Sequence, residues 1–359
     1  MRSNLPLRRR ALRAMAGVCL SAVFGVSHAA EPLKAVASFS ILGDIVREVG
    51  GNDVSLTTLV GPDGDAHEYE PTPGDAKKLS AARVLFVNGL EFETWLPKLT
   101  KASGFAGQTV VASQGITPRK FAGDGHGGKQ DEHDEHDHDH GQDHDHDHKD
   151  GATDGPKDGP KDGAKDGAKD GAKDGQQDGH HHHGDADPHA WQSLANGVIY
   201  ARNVAEGLAA ADPAHADAYR QRATAYIAKL EALDARAKQT FGAIPAERRK
   251  VVTSHDAFGY FGDAYGVTFI SAMGVSTDAE PSAGEVARII EQVKRDKVPA
   301  VFIENITSPK LVQQIARETG AKVGGTLYSD ALSKPGQPGA TYLEMFEWNV
   351  RQLAAALQP

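Results

Sequence analysis

The stretch Lys250-Val251-Val252-Thr253-Ser254-His255-Asp256-Ala257-Phe258-Gly259-Tyr260-Phe261 joins a β-branched run to a histidine backed by three aromatics. Lys250 to Thr253 has the composition of a short buried strand, and His255 falls just past its end. Open α/β sheets hold ligands outside the carboxyl ends of their strands, so a functional histidine is expected there. Phe258, Tyr260 and Phe261 are placed to wall its ring from water. Two other histidines have a comparable setting, His67 in Asp65-Ala66-His67-Glu68-Tyr69-Glu70-Pro71 and His189 in Asp187-Pro188-His189-Ala190-Trp191. Together with Asp330, at the exit of the apolar run before Tyr328-Ser329-Asp330, they form a candidate metal site of three imidazoles and one carboxylate. Glu68, next to His67, is an alternative fourth ligand. Asp187, Asp256 and Glu280 read as groups that orient rings and cap loops around it.

Working outward, strand and helix patterns alternate on both sides of the chain's middle. Before it, strands are expected at 34–38, 54–60, 83–88 and 109–111, with helices at 41–49, after Thr72-Pro73, and at 92–99. Thr72 is a candidate N-cap with Pro73 in the first turn, and Gly50-Gly51 closes the first helix. After the middle, strands are expected at 250–253, 267–270, 299–304 and 322–328. Ser282 and Glu285 have capping-box spacing before a helix over 286–293, Ser308-Pro309 opens another, and 342–357 is a closing amphipathic helix. Such alternation predicts an α/β fold of two lobes, each a mostly parallel sheet flanked by helices. Between them lie a helix over 193–211, a break at Asp212-Pro213, and a helix over 215–241. At 1.5 Å per residue the last is roughly 40 Å long, a rigid connector. The expected organisation is a leader over 1–30, an N-terminal lobe over 31–192, connecting helices over 193–243 and a C-terminal lobe over 244–359.

Charge is unevenly spread. The whole chain carries −10; residues 123–187 hold 20 acids and 7 bases, a net of −13, and the leader holds +5. The remaining scaffold is therefore about −2, with no basic face for nucleic acid. Arg8, Arg9, Arg10 and Arg13 precede an apolar run over 14–26 that is short for a membrane span, and Ser27-His28-Ala29-Ala30 offers small residues for cleavage. This predicts export to the periplasm, by the general or the twin-arginine route. Cys19, the single cysteine, lies inside that leader behind Val18, so a mature site must use nitrogen and oxygen.

Residues 123–184 have almost no apolar side chains and carry a Lys-Asp-Gly-Ala/Pro repeat. They cannot bury enough surface to offset the entropy of ordering, and are expected to be an unfolded insert. His133, His136, His138, His140, His144, His146 and His148 are interleaved with acids, and His180, His181, His182 and His183 follow. Imidazole beside carboxylate at this density is expected to bind transition metals weakly, as an auxiliary loop.

The motifs Asp65–Pro71, Asp187–Trp191, Ser254–Phe261, Glu280-Pro281-Ser282-Ala283 and Tyr328-Ser329-Asp330-Ala331-Leu332 resemble, in order, those of the zinc-type branch of cluster A-I solute-binding proteins. These serve bacterial ABC metal importers. The resemblance implies two α/β lobes bridged by one long helix, with metal between them on His67, His189, His255 and Asp330. Manganese- and iron-type relatives have glutamate at the third position, where this chain has His255. It also implies a His-rich insert before the second ligand and an ABC permease in the inner membrane as partner. A periplasmic zinc chaperone is a further candidate partner, and a monomer is expected.

Three imidazoles and a carboxylate suit four-coordinate Zn2+, whereas manganese favours more oxygen and higher coordination. Copper(II) would bind three imidazoles at least as tightly. A zinc hydrolase would need an open coordination position and a general base; Asp330 as fourth ligand and the lack of an HExxH motif argue against an enzyme. An adhesin or a zinc store on the same fold remains an alternative at this level. Unperturbed histidines would place the pH-dependent loss of metal between about pH 7 and 5.

Overall fold

The computed structural model describes residues 31–120, 186–274, 277 and 280–358. The leader and the auxiliary histidines of the insert lie outside the described residues.

Two four-stranded sheets repeat one topology. The first is built from β1 (Leu33–Phe39), β2 (Val54–Val60), β3 (Val84–Val87) and β4 (Gln108–Val111), in the order β2-β1-β3-β4. The second uses β5 (Lys250–Thr253), β6 (Thr268–Ser271), β7 (Ala300–Glu304) and β8 (Lys322–Leu327), in the order β6-β5-β7-β8. All neighbouring pairs are parallel. In both sheets the chain steps to one side and then returns to the other, which opens a crevice at the carboxyl ends beside β1 and β5. The helices are α1 (Ser40–Gly50), α2 (Pro73–Ser80), α3 (Leu96–Ser103), α4 (Leu194–Ala211), α5 (Ala216–Gly242), α6 (Gly259–Tyr265), α7 (Ala283–Asp296), α8 (Lys310–Thr319) and α9 (Tyr342–Leu357).

Local chemistry explains most boundaries. Thr72 and Asp75 form a reciprocal capping box at α2, and Ser282 and Glu285 form another at α7. Gly266 and Gly320 end α6 and α8 in the left-handed region, with φ of 70° and 75°. Two boundaries differ from the sequence pattern. The helix expected over 92–99 begins only at Leu96, because Leu90 and Glu91 turn through positive φ and Glu93 folds inward. Its carboxylate accepts from the Ser38 hydroxyl and the Asn88 backbone, each at 2.6 Å. At α8 the N-cap position is Pro309, and no side chain caps the helix. The Ser308 hydroxyl lies 3.5 Å from the Lys310 nitrogen.

α5 has 27 residues and buries Tyr219, Ala223, Tyr226, Leu230, Leu233, Ala237 and Phe241 along one stripe. It packs against α4 and α1 and, further along, against α6 and α9. One core runs from Phe39 and Phe86 through Trp191 and Tyr226 to Phe261 and Phe346. A second covers the other face of the C-terminal sheet, where Val252 and Val301 meet Val286 and Ile290 of α7 and Val312 and Ile315 of α8. Burial on both faces is what parallel sheets require. The lobes meet near their strand ends: the Thr277 hydroxyl donates to Asp65 at 2.6 Å, Asp63 N to Leu332 O at 2.9 Å, and Leu332 N to the Ser40 hydroxyl at 3.0 Å.

Candidate metal centre

His67 follows β2, His189 lies between β4 and α4, His255 follows β5, and Asp330 follows β8. The loops bring all four side chains together, each offering one ligand atom within 4.8 Å of the others. His67 is 7 % exposed and the other three are fully buried. His67 Nε2 lies 3.3 Å from His189 Nε2 and 3.2 Å from Asp330 Oδ2. His255 Nε2 is 3.1 Å from Asp330 Oδ2, and His189 Nε2 is 3.6 Å from Asp330 Oδ1.

Those separations have a direct chemical meaning. A tetrahedron around an ion with bonds of about 2.0–2.1 Å has edges of roughly 3.3–3.4 Å. The His67–His189 separation falls at that value, and the contacts of His67 and His255 to Asp330 Oδ2 lie slightly below it. Asp330 Oδ1 is buried and accepts no hydrogen bond, so it has a lone pair available for a cation.

Two of the three rings have a carboxylate behind them, and the third is packed on an aromatic edge. Asp187 Oδ1 lies 2.8 Å from His189 Nδ1, which turns Nε2 toward the centre. Glu304 Oε2 lies 2.5 Å from His255 Nδ1, off the line of an ordinary hydrogen bond, while its other oxygen accepts from the backbone nitrogens of Ser254 and His255 at 2.7 and 3.0 Å. The His67 nitrogen donates to Asp65 at 2.8 Å, and its ring meets the edge of Phe92 with centroids 4.9 Å apart. The Asp330 loop is pinned through Ser329 O, which accepts from Trp191 Nε1 at 2.9 Å and Gln192 Nε2 at 2.6 Å.

The buried charges are balanced within the cluster. Burial alone would lower the pKa of His255, but the carboxylates of Glu304 and Asp330 overcome it and raise it well above the ordinary value. Burial would raise Asp330; His255 and His189 overcome that and hold it well below the usual carboxylate range. The metal-free centre therefore favours an ionised Asp330 beside a protonated His255.

Glu68 is exposed and outside the group of four. Of the three acids expected around the site, Asp187 orients a ring, Glu280 stands at the surface, and Asp256 is half-buried with its backbone nitrogen on Gly274 O. Glu304 was not singled out by sequence reasoning. The available signal was an acid closing the buried run Ala300–Glu304. In the first lobe a buried acid from a different position, Glu93 in the loop after β3, likewise accepts from groups at strand ends, the Ser38 hydroxyl and the Asn88 nitrogen.

The sequence profile of the family described as "ZnuA: Zinc-uptake complex component A periplasmic" matches residues 35–356. The chain belongs to this ZnuA family. Its members are solute-binding components of ABC metal transporters and not enzymes. Among the relatives of this ZnuA-family chain is the manganese ABC transporter substrate-binding lipoprotein PsaA of Streptococcus pneumoniae, 30 % identical over 333 residues, covering 91 % of this chain and 89 % of that one. The iron ABC transporter substrate-binding lipoprotein MtsA of Streptococcus pyogenes serotype M1 is 29 % identical with the same coverage. The periplasmic zinc-binding protein TroA of Treponema pallidum superposes with a TM-score of 0.71 at 26 % identity, covering 91 % of this chain and all of that one.

Proposed function

We propose that this protein captures Zn2+ in the periplasm on His67, His189, His255 and Asp330 and delivers it to an ABC permease of the inner membrane. The observation that supports the reading is the buried set of three imidazoles and one carboxylate whose ligand atoms lie within 4.8 Å of one another. Zinc accepts that geometry and that donor set without penalty, while manganese favours six oxygen-rich positions. The cluster is buried where residues of both halves of the chain meet, which suits capture of an ion and its later release to a permease. The organisation that goes with this is the leader over 1–30, lobes over 31–192 and 244–359, and connecting helices over 193–243.

Relatives named for manganese and iron make the competing reading specific. Zinc outcompetes manganese at most nitrogen sites in a test tube, so affinity alone does not discriminate. The decisive measurement is the metal content of protein isolated from the periplasm, together with growth of a deletion strain under chelation. Zinc in the isolated protein and rescue by zinc support the reading; manganese or iron in both assays overturns it. The same preparation tests export: a mature chain starting near Glu31 fits cleavage, whereas a lipid-modified Cys19 would replace it with an anchor.

A further inference from the structure

Arg119 immediately precedes the root of the insert. Lys120 pairs with Ala186 in an antiparallel bridge, and Asp187 N donates to Arg119 O at 2.8 Å, so the two ends of the insert are stitched together here. The Arg119 side chain, 22 % exposed, then reaches in two directions. Its Nη1 lies 3.3 Å from Asp187 Oδ2, and its Nε donates to Asp263 on α6 at 2.9 Å. Its backbone nitrogen donates to the Tyr260 hydroxyl at 2.9 Å, and that hydroxyl lies 3.3 Å from Asp187 O.

Asp187 is fully buried, and its Oδ1 is committed to His189. The Arg119 guanidinium is the charge that faces its other oxygen. Gly259, the first residue of α6, leaves the room for this contact. A Cβ there would lie 2.3 Å from Arg119 Nη1 and 2.6 Å from Asp187 Oδ2.

We propose that Arg119 is a positioning residue for the metal centre, holding Asp187 so that the His189 ring stays aimed at the ion and linking that ring to the second lobe. The inference rests on the reading of His189 as a ligand. A guanidinium suits this place because its planar fork holds two carboxylates from different elements, which a single ammonium does not. Releasing Asp187 lets its carboxylate rotate, and the imidazole turns with it. Groups that orient a metal-binding histidine typically contribute about 10–100-fold to affinity.

The test uses the full-length protein, with Zn2+ affinity from chelator competition, the visible absorption of the Co2+ form, and melting of the metal-free form. Arg119→Gln should weaken Zn2+ by about tenfold and alter the Co2+ spectrum at a temperature where the metal-free variant is still folded, its melting lowered by the buried Asp187 left short of a partner. Arg119→Lys should recover only part of the loss. Gly259→Ala, which keeps both charges but displaces them, should change the spectrum in the same direction. Wild-type affinity and spectrum in Arg119→Gln would overturn the inference. So would an affinity loss with an unaltered Co2+ spectrum and a silent Gly259→Ala, which would mark a general structural contact. His189→Ala is the control: if it binds like wild type, the ligand reading itself fails. If it loses binding while Arg119→Gln does not, only the role of Arg119 fails.

Discussion

One oxygen of Asp187 takes both the backbone N–H of His189, at 3.0 Å, and its ring Nδ1, at 2.8 Å. The ring's donor is thereby assigned to the carboxylate, and the Nε2 lone pair is left for a cation. Asp187→Ala should weaken Zn2+ binding by about 10–100-fold without moving the stoichiometry. His67→Ala, His189→Ala and His255→Ala should each cost several orders of magnitude. Asp330→Ala should cost less, because water can occupy the vacated position. Competition titration with a chelator ranks them, and wild-type affinity in any histidine variant removes that residue from the site.

The pH dependence follows from His255. Glu304 and Asp330 hold its pKa above the ordinary value although burial opposes them, so the metal-free ring keeps its proton to higher pH than a free histidine. Metal binds only the unprotonated ring, and an entering ion must displace that proton. Asp330 stays ionised throughout, so it does not compete. Affinity should therefore begin to fall, as pH is lowered, at a higher pH than ordinary histidines would set. Ordinary histidines would place the fall nearer pH 7 to 5. Glu304→Gln removes one of the two charges and should move the fall to lower pH. A fall that begins no higher than for ordinary histidines, or that Glu304→Gln leaves in place, contradicts this electrostatic account.

The strand ends and the histidines behind them were legible because a ligand at the exit of an apolar run leaves a local trace, as at Thr253–His255 and Leu327–Asp330. The two capping boxes were equally local. The start of α3 was not, because the turn through Leu90 and Glu91 accompanies a Glu93 carboxylate folded under Ser38, 55 residues away in the chain. Glu304 meets His255 across 49 residues and Arg119 meets Asp187 across 68. Periodicity carries no information about such pairs, so the clustered histidines and Asp330 could be read and most of the groups packed behind them could not.

Asp44 gives a prediction about stability away from the metal. It lies buried on α1 and accepts from Tyr342 N at 2.8 Å, at the start of α9. Burial pushes its pKa up to about 6, with that hydrogen bond and Arg47 opposing the rise. A raised folded-state pKa means the native chain binds a proton that the unfolded chain releases. Its contribution is then largest below the unfolded value and is lost as pH rises through about 6. Asp44→Asn keeps an acceptor for Tyr342 N without the buried charge. It should be more stable than wild type at pH 8 by on the order of 2–3 kcal/mol, with the advantage gone by about pH 4. Thermal unfolding of the metal-free proteins checks this. A lower melting temperature for Asp44→Asn at pH 8 would mean that the charge helps the α9 N-terminus more than its burial costs.

The last prediction separates the insert from the centre. Lys120 and Ala186 already pair across its root, and His67, His189, His255 and Asp330 all lie outside it. Replacing residues 121–185 by a short Asn-Gly turn should therefore preserve the hairpin-like root and one tight Zn2+ per molecule. What should disappear is a set of weaker sites, carried by His133–His148 and His180–His183. Metal bound to a folded site adds RT ln(1 + [L]/Kd) to stability, because the unfolded chain does not share it. Ligands clustered along the sequence, as in the insert, remain near one another in the unfolded chain, so metal on them should scarcely move the melting temperature. Calorimetry of the intact and shortened proteins at matched Zn2+ should then give the same melting shift and different total binding. Loss of the tight site or of its melting shift in the shortened protein would place part of the primary site in the insert.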